Sequence, residues 1–192
     1  AVVADTVQKI IDIELTWKID ETGKIIAAME AQKDEEFPDL PRFGIRLFLD
    51  KKFEDVAYYG MGPHESYRDK HQATSHGIYR SKVTDLHEDY IRPQENGSHY
   101  DCDYVELTNA QYGFAIVSED SFSFNASYYT QEVLEQTEHN FELEESDSTV
   151  LCVDYALNGI GSNSCGPVVL DQYRFRENEF RFQLKLVPYV KR

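Results

Sequence analysis

Basic side chains, cysteine and long apolar runs are all scarce in this sequence, and each shortage narrows what the protein can do. Nineteen Lys and Arg stand against thirty-five Asp and Glu, a formal net charge of −16. A field of that sign repels phosphate backbones and anionic lipid, which argues against nucleic acid and membrane as partners. Neutral ligands such as sugars are indifferent to it. No apolar run approaches the roughly 18–20 residues of a membrane-spanning helix, and the chain reads as soluble. Cys102, Cys152 and Cys165 are odd in number and lack C-x-x-C spacing, so neither a full disulfide framework nor a zinc knuckle is expected. Reduced buried thiols are the expectation, most clearly for Cys152 in the apolar run Val150–Val153. His64, His71, His76, His87, His99 and His139 form no H-x-H or H-E-x-x-H arrangement, and no metal or other cofactor is expected in this chain. The start, Ala1 to Asp5, shows neither an initiator Met nor a secretory pattern. The compartment of the parent protein is therefore unknown, with a cytoplasmic setting favoured.

What the sequence does have is alternation. Ile11, Ile13, Leu15, Trp17 and Ile19 are interleaved by Asp12, Glu14, Thr16 and Lys18, and a period of two predicts a half-buried strand. Asp20-Glu21-Thr22-Gly23 supplies turn chemistry, and Lys24 to Gln32 reads as the return strand of a hairpin. The same pattern recurs at Phe122, Phe124, Ala126 and Tyr128, and again at Phe180, Phe182, Leu184 and Leu186. One stretch, Thr130 to Thr137, reads as a short helix capped by Thr130 with Glu132 in its first turn. Short strands with turns between them, and no repeated strand-helix unit, predict an all-β antiparallel sandwich with at most one short helix. A length of 192 residues fits one domain over 1–192.

Three glycine- and proline-bearing motifs carry the chemistry. Tyr58 to Asp69 places Gly60, Gly62 and Pro63 within four residues, suited to a tight bend that presents His64, Glu65, Tyr67, Arg68 and Asp69. Pro93-Gln94-Glu95-Asn96-Gly97 ends in a pair able to take positive φ, and Glu95 and Asn96 have the acceptors and donors that hold sugar hydroxyls. Arg42 is a plausible companion of Glu95, as a ligand contact or as its partner in a partly buried ion pair. Gly159 to Pro167 reads as a loop of little intrinsic order, containing Asn163, Ser164 and Cys165.

In this order the motifs resemble the C-terminal domain of β-galactosidases of glycoside hydrolase family 2, from about Leu40 to Pro188. The resemblance implies a large two-sheet supersandwich related to galactose mutarotase. It also implies that the catalytic glutamates lie on a separate (β/α)8 barrel. Such a barrel needs roughly 250 residues of alternating strand and helix, and nothing in this chain reads as one. The chain is thus expected to be a fragment or small subunit, inactive alone, that closes the active site of the whole galactoside hydrolase and supports its assembly. The implied partners are the enzyme's other domains, including the barrel, the galactoside substrate, and further copies in a homo-oligomer. Any metal ions of the family belong to the barrel side. Arg42, Glu95, Asn96, Asn163, Ser164 and Cys165 are the implied substrate-binding or wall residues, and none of them is catalytic. Where well-known relatives carry a pocket-walling Trp in the last loop, this sequence has Cys165.

Two other readings stand beside this one. A self-contained aldose 1-epimerase would use His99 or His76 with Glu95 as acid and base. A non-catalytic carbohydrate-binding module would need only a sugar-facing sheet surface.

Overall fold

The computed structural model describes residues 2–3, 9–161 and 167–191. Ten strands dominate: β1 (Val2–Val3), β2 (Lys9–Ile19), β3 (Ile25–Lys33), β4 (Arg42–Asp50), β5 (Asp55–Gly62), β6 (Ser75–Lys82), β7 (His99–Thr108), β8 (Tyr112–Ser127), β9 (Ser148–Leu157) and β10 (Glu179–Val190). Every pairing is antiparallel. The one α-helix among the described residues, α1 (Gln131–Gln136), is short, and Thr130 Oγ1 accepts from Val133 N at its start as the sequence led one to expect. The all-β antiparallel class is borne out. No helix of the described residues is long and apolar enough to cross a membrane.

The strands run β1-β2-β3-β10-β8-β7-β5-β6, with β9 and β4 branching from β8. The branch is possible because β8 is long and changes partners. Tyr112 to Val117 pairs with β10, and Ser123 to Ser127 pairs with β9. The long layer on that path and the short layer of β9 and β4 are therefore one hydrogen-bonded network joined through β8. Their facing sides share a core. Ala27, Met29, Phe182 and Leu184 of the long layer meet Leu151 and Val153 of the short one, with Phe43, Ile45 and Leu47 of β4 packed against them.

Local chemistry explains the first hairpin. Asp20 Oδ1 accepts from Thr22 N (2.7 Å) and Lys24 N (3.1 Å), and Gly23 takes a φ of 80° that disfavours other residues. The expected half-burial of β2 holds only at one end. Ile11 is 4% exposed, but Ile13, Leu15, Trp17 and Ile19 are 37%, 44%, 48% and 71% exposed. Periodicity identified the apolar face; it could not identify what covers it.

Candidate functional site

The short layer turns an outer face toward α1 and the segment Pro93 to Gly97, and two of the motif residues converge there. A register shift between Phe43 and Gly44 sets Gly44 opposite Asp154 on β9. Arg42, at the start of β4, then lies over that carboxylate. Its Nε donates to Asp154 Oδ1 at 3.2 Å and its Nη2 to Asp154 Oδ2 at 2.5 Å. Nη1 reaches across to Glu95 Oε2 at 3.0 Å. One guanidinium thus holds two carboxylates, as a planar fork of donors is suited to do.

Burial decides the electrostatics of this cluster. Asp154 is 3% exposed, and burial holds its carboxyl above the usual range despite Arg42. Burial raises Glu95 too, with Arg42 opposing the shift and Asp154 adding to it. Burial disfavours the charge on Arg42, but Asp154 and Glu95 outweigh that and hold the guanidinium above its ordinary range. Next to them, burial pushes the Cys152 thiol up to about 11. Gln131 Nε2 of α1 lies 3.2 Å from its sulfur. Cys102 and Cys152 are buried free thiols, as expected; Cys165 lies outside the described residues.

The first two motifs interlock through Glu65. This side chain accepts from Lys70 Nζ, from the Tyr90 hydroxyl, and from Gly97 N at 2.8 Å. Burial works against its charge, but those donors hold its carboxyl below the usual range. Gly97 has a φ of 69°, and a Cβ there would run into the Leu86 carbonyl. The sequence reading placed Glu65 and Tyr67 on a presented loop; instead they are 9% and 2% exposed and turn inward. The acids of the motif are satisfied from outside it, Glu65 by Lys70, Tyr90 and Gly97 and Asp69 by the amides of Ile160 and Gly161. Asn96, 5% exposed, spends its amide inside its own loop, accepting from Glu88 N (3.0 Å) and donating to Gln94 O (2.9 Å). It holds the loop and offers nothing to solvent.

The third motif is tied to the first. Asp69 accepts from Ile160 N at 3.1 Å and from Gly161 N at 2.6 Å, which fixes the start of the glycine loop. Asn163, Ser164 and Cys165 lie outside the described residues. Among the described residues no group of three or more His, Cys, Asp or Glu is placed to hold a metal ion.

Asp154 is the member of this cluster that the sequence reading missed. The available signal was an acid following Val150-Leu151-Cys152-Val153, since a charge continuing an apolar strand demands a partner. The epimerase reading fares poorly in the geometry. His99 is 1% exposed, its ring packed against both Tyr58 and Phe124, which also touch each other, so it is closed off from a ligand. His76 faces the carbonyl of Asp101, its Nε2 at 3.0 Å.

A family model described as beta galactosidase small chain matches residues 1–186. The β-galactosidase of Actinobacillus pleuropneumoniae is 44% identical over 187 residues, covering 97% of this chain and 18% of the relative. That of Staphylococcus xylosus is 42% identical over 189 residues, covering 97% of this chain and 19% of its own length. That of Kluyveromyces lactis is 32% identical over 160 residues, 83% of this chain and 15% of the relative. This sequence thus spans less than a fifth of the length of these relatives, and by the match over nearly all its residues the chain belongs to the beta galactosidase small chain family.

Proposed function

We propose that this chain is one domain, 1–192, of a larger β-galactosidase of glycoside hydrolase family 2, which hydrolyses terminal β-D-galactosides. In this reading the chain borders the active site and supports assembly while supplying no catalytic carboxylate. The observation that carries it is similarity over 97% of this chain to β-galactosidases of which it covers 18–19%. The chemistry of the acid pair agrees. A retaining glycosidase needs one carboxyl free to attack and one free to protonate, roughly 5–5.5 Å apart. Glu95 and Asp154 instead share Arg42, and Asp154 is 3% exposed with both oxygens engaged by it. A buried, saturated carboxylate is a structural anion.

The contribution of the chain is then geometric. Arg42 ties the Pro93 to Gly97 segment to the short layer through Glu95, and Asp69 anchors the loop that runs on into Asn163, Ser164 and Cys165. That loop would wall the pocket of the catalytic barrel. The barrel, the enzyme's other domains and, through them, the galactoside are the partners in this reading. The test is nitrophenyl-galactoside turnover by the pure chain, by the rest of the polypeptide, and by the two together. Activity only in the mixture supports the reading, and turnover by the chain alone, lost in Glu95→Gln, overturns it.

A further inference from the structure

The apolar side of β2 is an exposed stripe of four large side chains on a single strand. Ile13, Leu15, Trp17 and Ile19 pair across the ladder with Ala31, Met29, Ala27 and Ile25 of β3, and directly paired residues share a face. Ala31, Met29 and Ala27 are 7%, 4% and 0% exposed. The β2 side chains therefore point to the core side of the long layer, yet they are open to solvent. The cover ends between β3 and β2.

The strand that ends it is β4. Among the described residues β4 pairs with β9 alone, so its other edge carries a row of unpaired backbone groups. Its inward side chains, Ile45, Leu47 and Leu49, are only partly buried although they pack against the core. One surface cleft is lined by Ile13 of β2 together with Phe43, Gly44 and Ile45 of β4. An open edge in one layer thus borders an uncovered apolar stripe in the other. Strands in a sheet lie about 4.8 Å apart, so one strand added beside β4 lies over the stripe.

We propose that the free edge of β4 and the apolar stripe of β2 form a single docking surface for a β-strand from the remainder of the same β-galactosidase polypeptide. That strand hydrogen-bonds to β4 and lays alternate apolar side chains on Leu15, Trp17 and Ile19. The assignment of the occupant rests on the proposed function. The relatives carry more than four-fifths of their length outside the matched part, so there is ample chain there to supply one strand. A four-residue apolar stripe beside an unpaired edge is otherwise an aggregation hazard.

Trp17 is the only tryptophan of the chain, so fluorotryptophan labelling puts one fluorine resonance in the stripe. The labelled chain is titrated with the unlabelled rest of the enzyme's polypeptide. Fluorine NMR with a soluble gadolinium chelate reports access to Trp17, and galactoside turnover reports assembly. The expected result is assembly with a shifted Trp17 resonance that the chelate no longer broadens. Trp17→Glu is expected to weaken association about 30-fold or more, as removal of a buried interface aromatic does. Circular dichroism shows whether that variant keeps its fold, and the wild-type broadening measurement stands without it. Assembly and activity with Trp17 still broadened overturn this inference and leave the proposed function intact. Failure to associate overturns both. Self-association of the chain alone with Trp17 protected makes a second copy the occupant and also overturns it.

Discussion

The Asp154 carboxylate occupies the space that a side chain at Gly44 would need. A Cβ built on Gly44 lies 2.6 Å from Asp154 Oδ1 and also meets the Val153 carbonyl. Backbone on β9 cannot retreat without breaking the ladder, so Gly44→Ala is expected to cost about 1–3 kcal/mol, the usual range for overpacking. Urea unfolding followed by circular dichroism checks it. A midpoint equal to that of the wild type would show that the register shift relaxes freely.

The two acids held by Arg42 should respond differently to neutralisation. Asp154 is almost wholly buried and takes two of the three bonds from Arg42. Asp154→Asn leaves a part-buried guanidinium short of charge, and breaking a buried pair from one side costs about 3–5 kcal/mol. Glu95→Gln leaves the Asp154 pair in place and removes a second acid whose charge burial already disfavours, so stability at neutral pH should change by less than about 1 kcal/mol. The comparison is made by denaturant unfolding of both variants. The reverse order would mean that Glu95, not Asp154, anchors the arginine.

His99 gives the fold a pH dependence with a definite sign. Burial takes its imidazole from the ordinary 6.5 down to about 4, against opposing contributions from the Met61 carbonyl and Glu65. The unfolded chain therefore binds the proton first. Stability from neutral His99 is complete above pH 6.5 and is lost progressively as pH falls towards 4, by about 3 kcal/mol in all. His99→Phe keeps the stacking on Phe124 and removes the titration. Its unfolding midpoint should fall less steeply across that window, and a profile as steep as the wild type would assign the dependence to other groups.

The strands and the helix were legible because their signals are local. Phe180 to Leu186 alternates and lies in β10, and Thr130 caps α1 as its side-chain chemistry requires. The candidate cluster was legible only in part, because its decisive contact joins residues 112 apart. Arg42 and Glu95 could be paired on chemical grounds, whereas Asp154 is invisible until the register shift at Gly44 brings β4 and β9 into place. The branching of β8 has no sequence signature either, since alternation does not tell which partner a strand takes. Trp17 shows the same limit from the other side, with a correct apolar face and no information on its cover.

The anchoring of the glycine loop by Asp69 separates local order from global stability. Its two oxygens accept from Ile160 N and Gly161 N, and hydrogen bonds to a charged acceptor contribute about 1.5–3 kcal/mol where they form. In Asp69→Ala those two amides should exchange with solvent roughly tenfold to a hundredfold faster. The unfolding midpoint should barely move, because Asp69 lies outside the core and opens only its own loop. Hydrogen exchange read residue by residue, beside a thermal melt, distinguishes the cases. Faster exchange at Ile160 and Gly161 alone shows a local latch. Faster exchange spread through β9 would instead mean that Asp69 holds the short layer itself. In the assembled enzyme of the proposed function, a local latch predicts a lower kcat/KM for Asp69→Ala with unchanged assembly, since the loop it releases is the one assigned to the pocket wall.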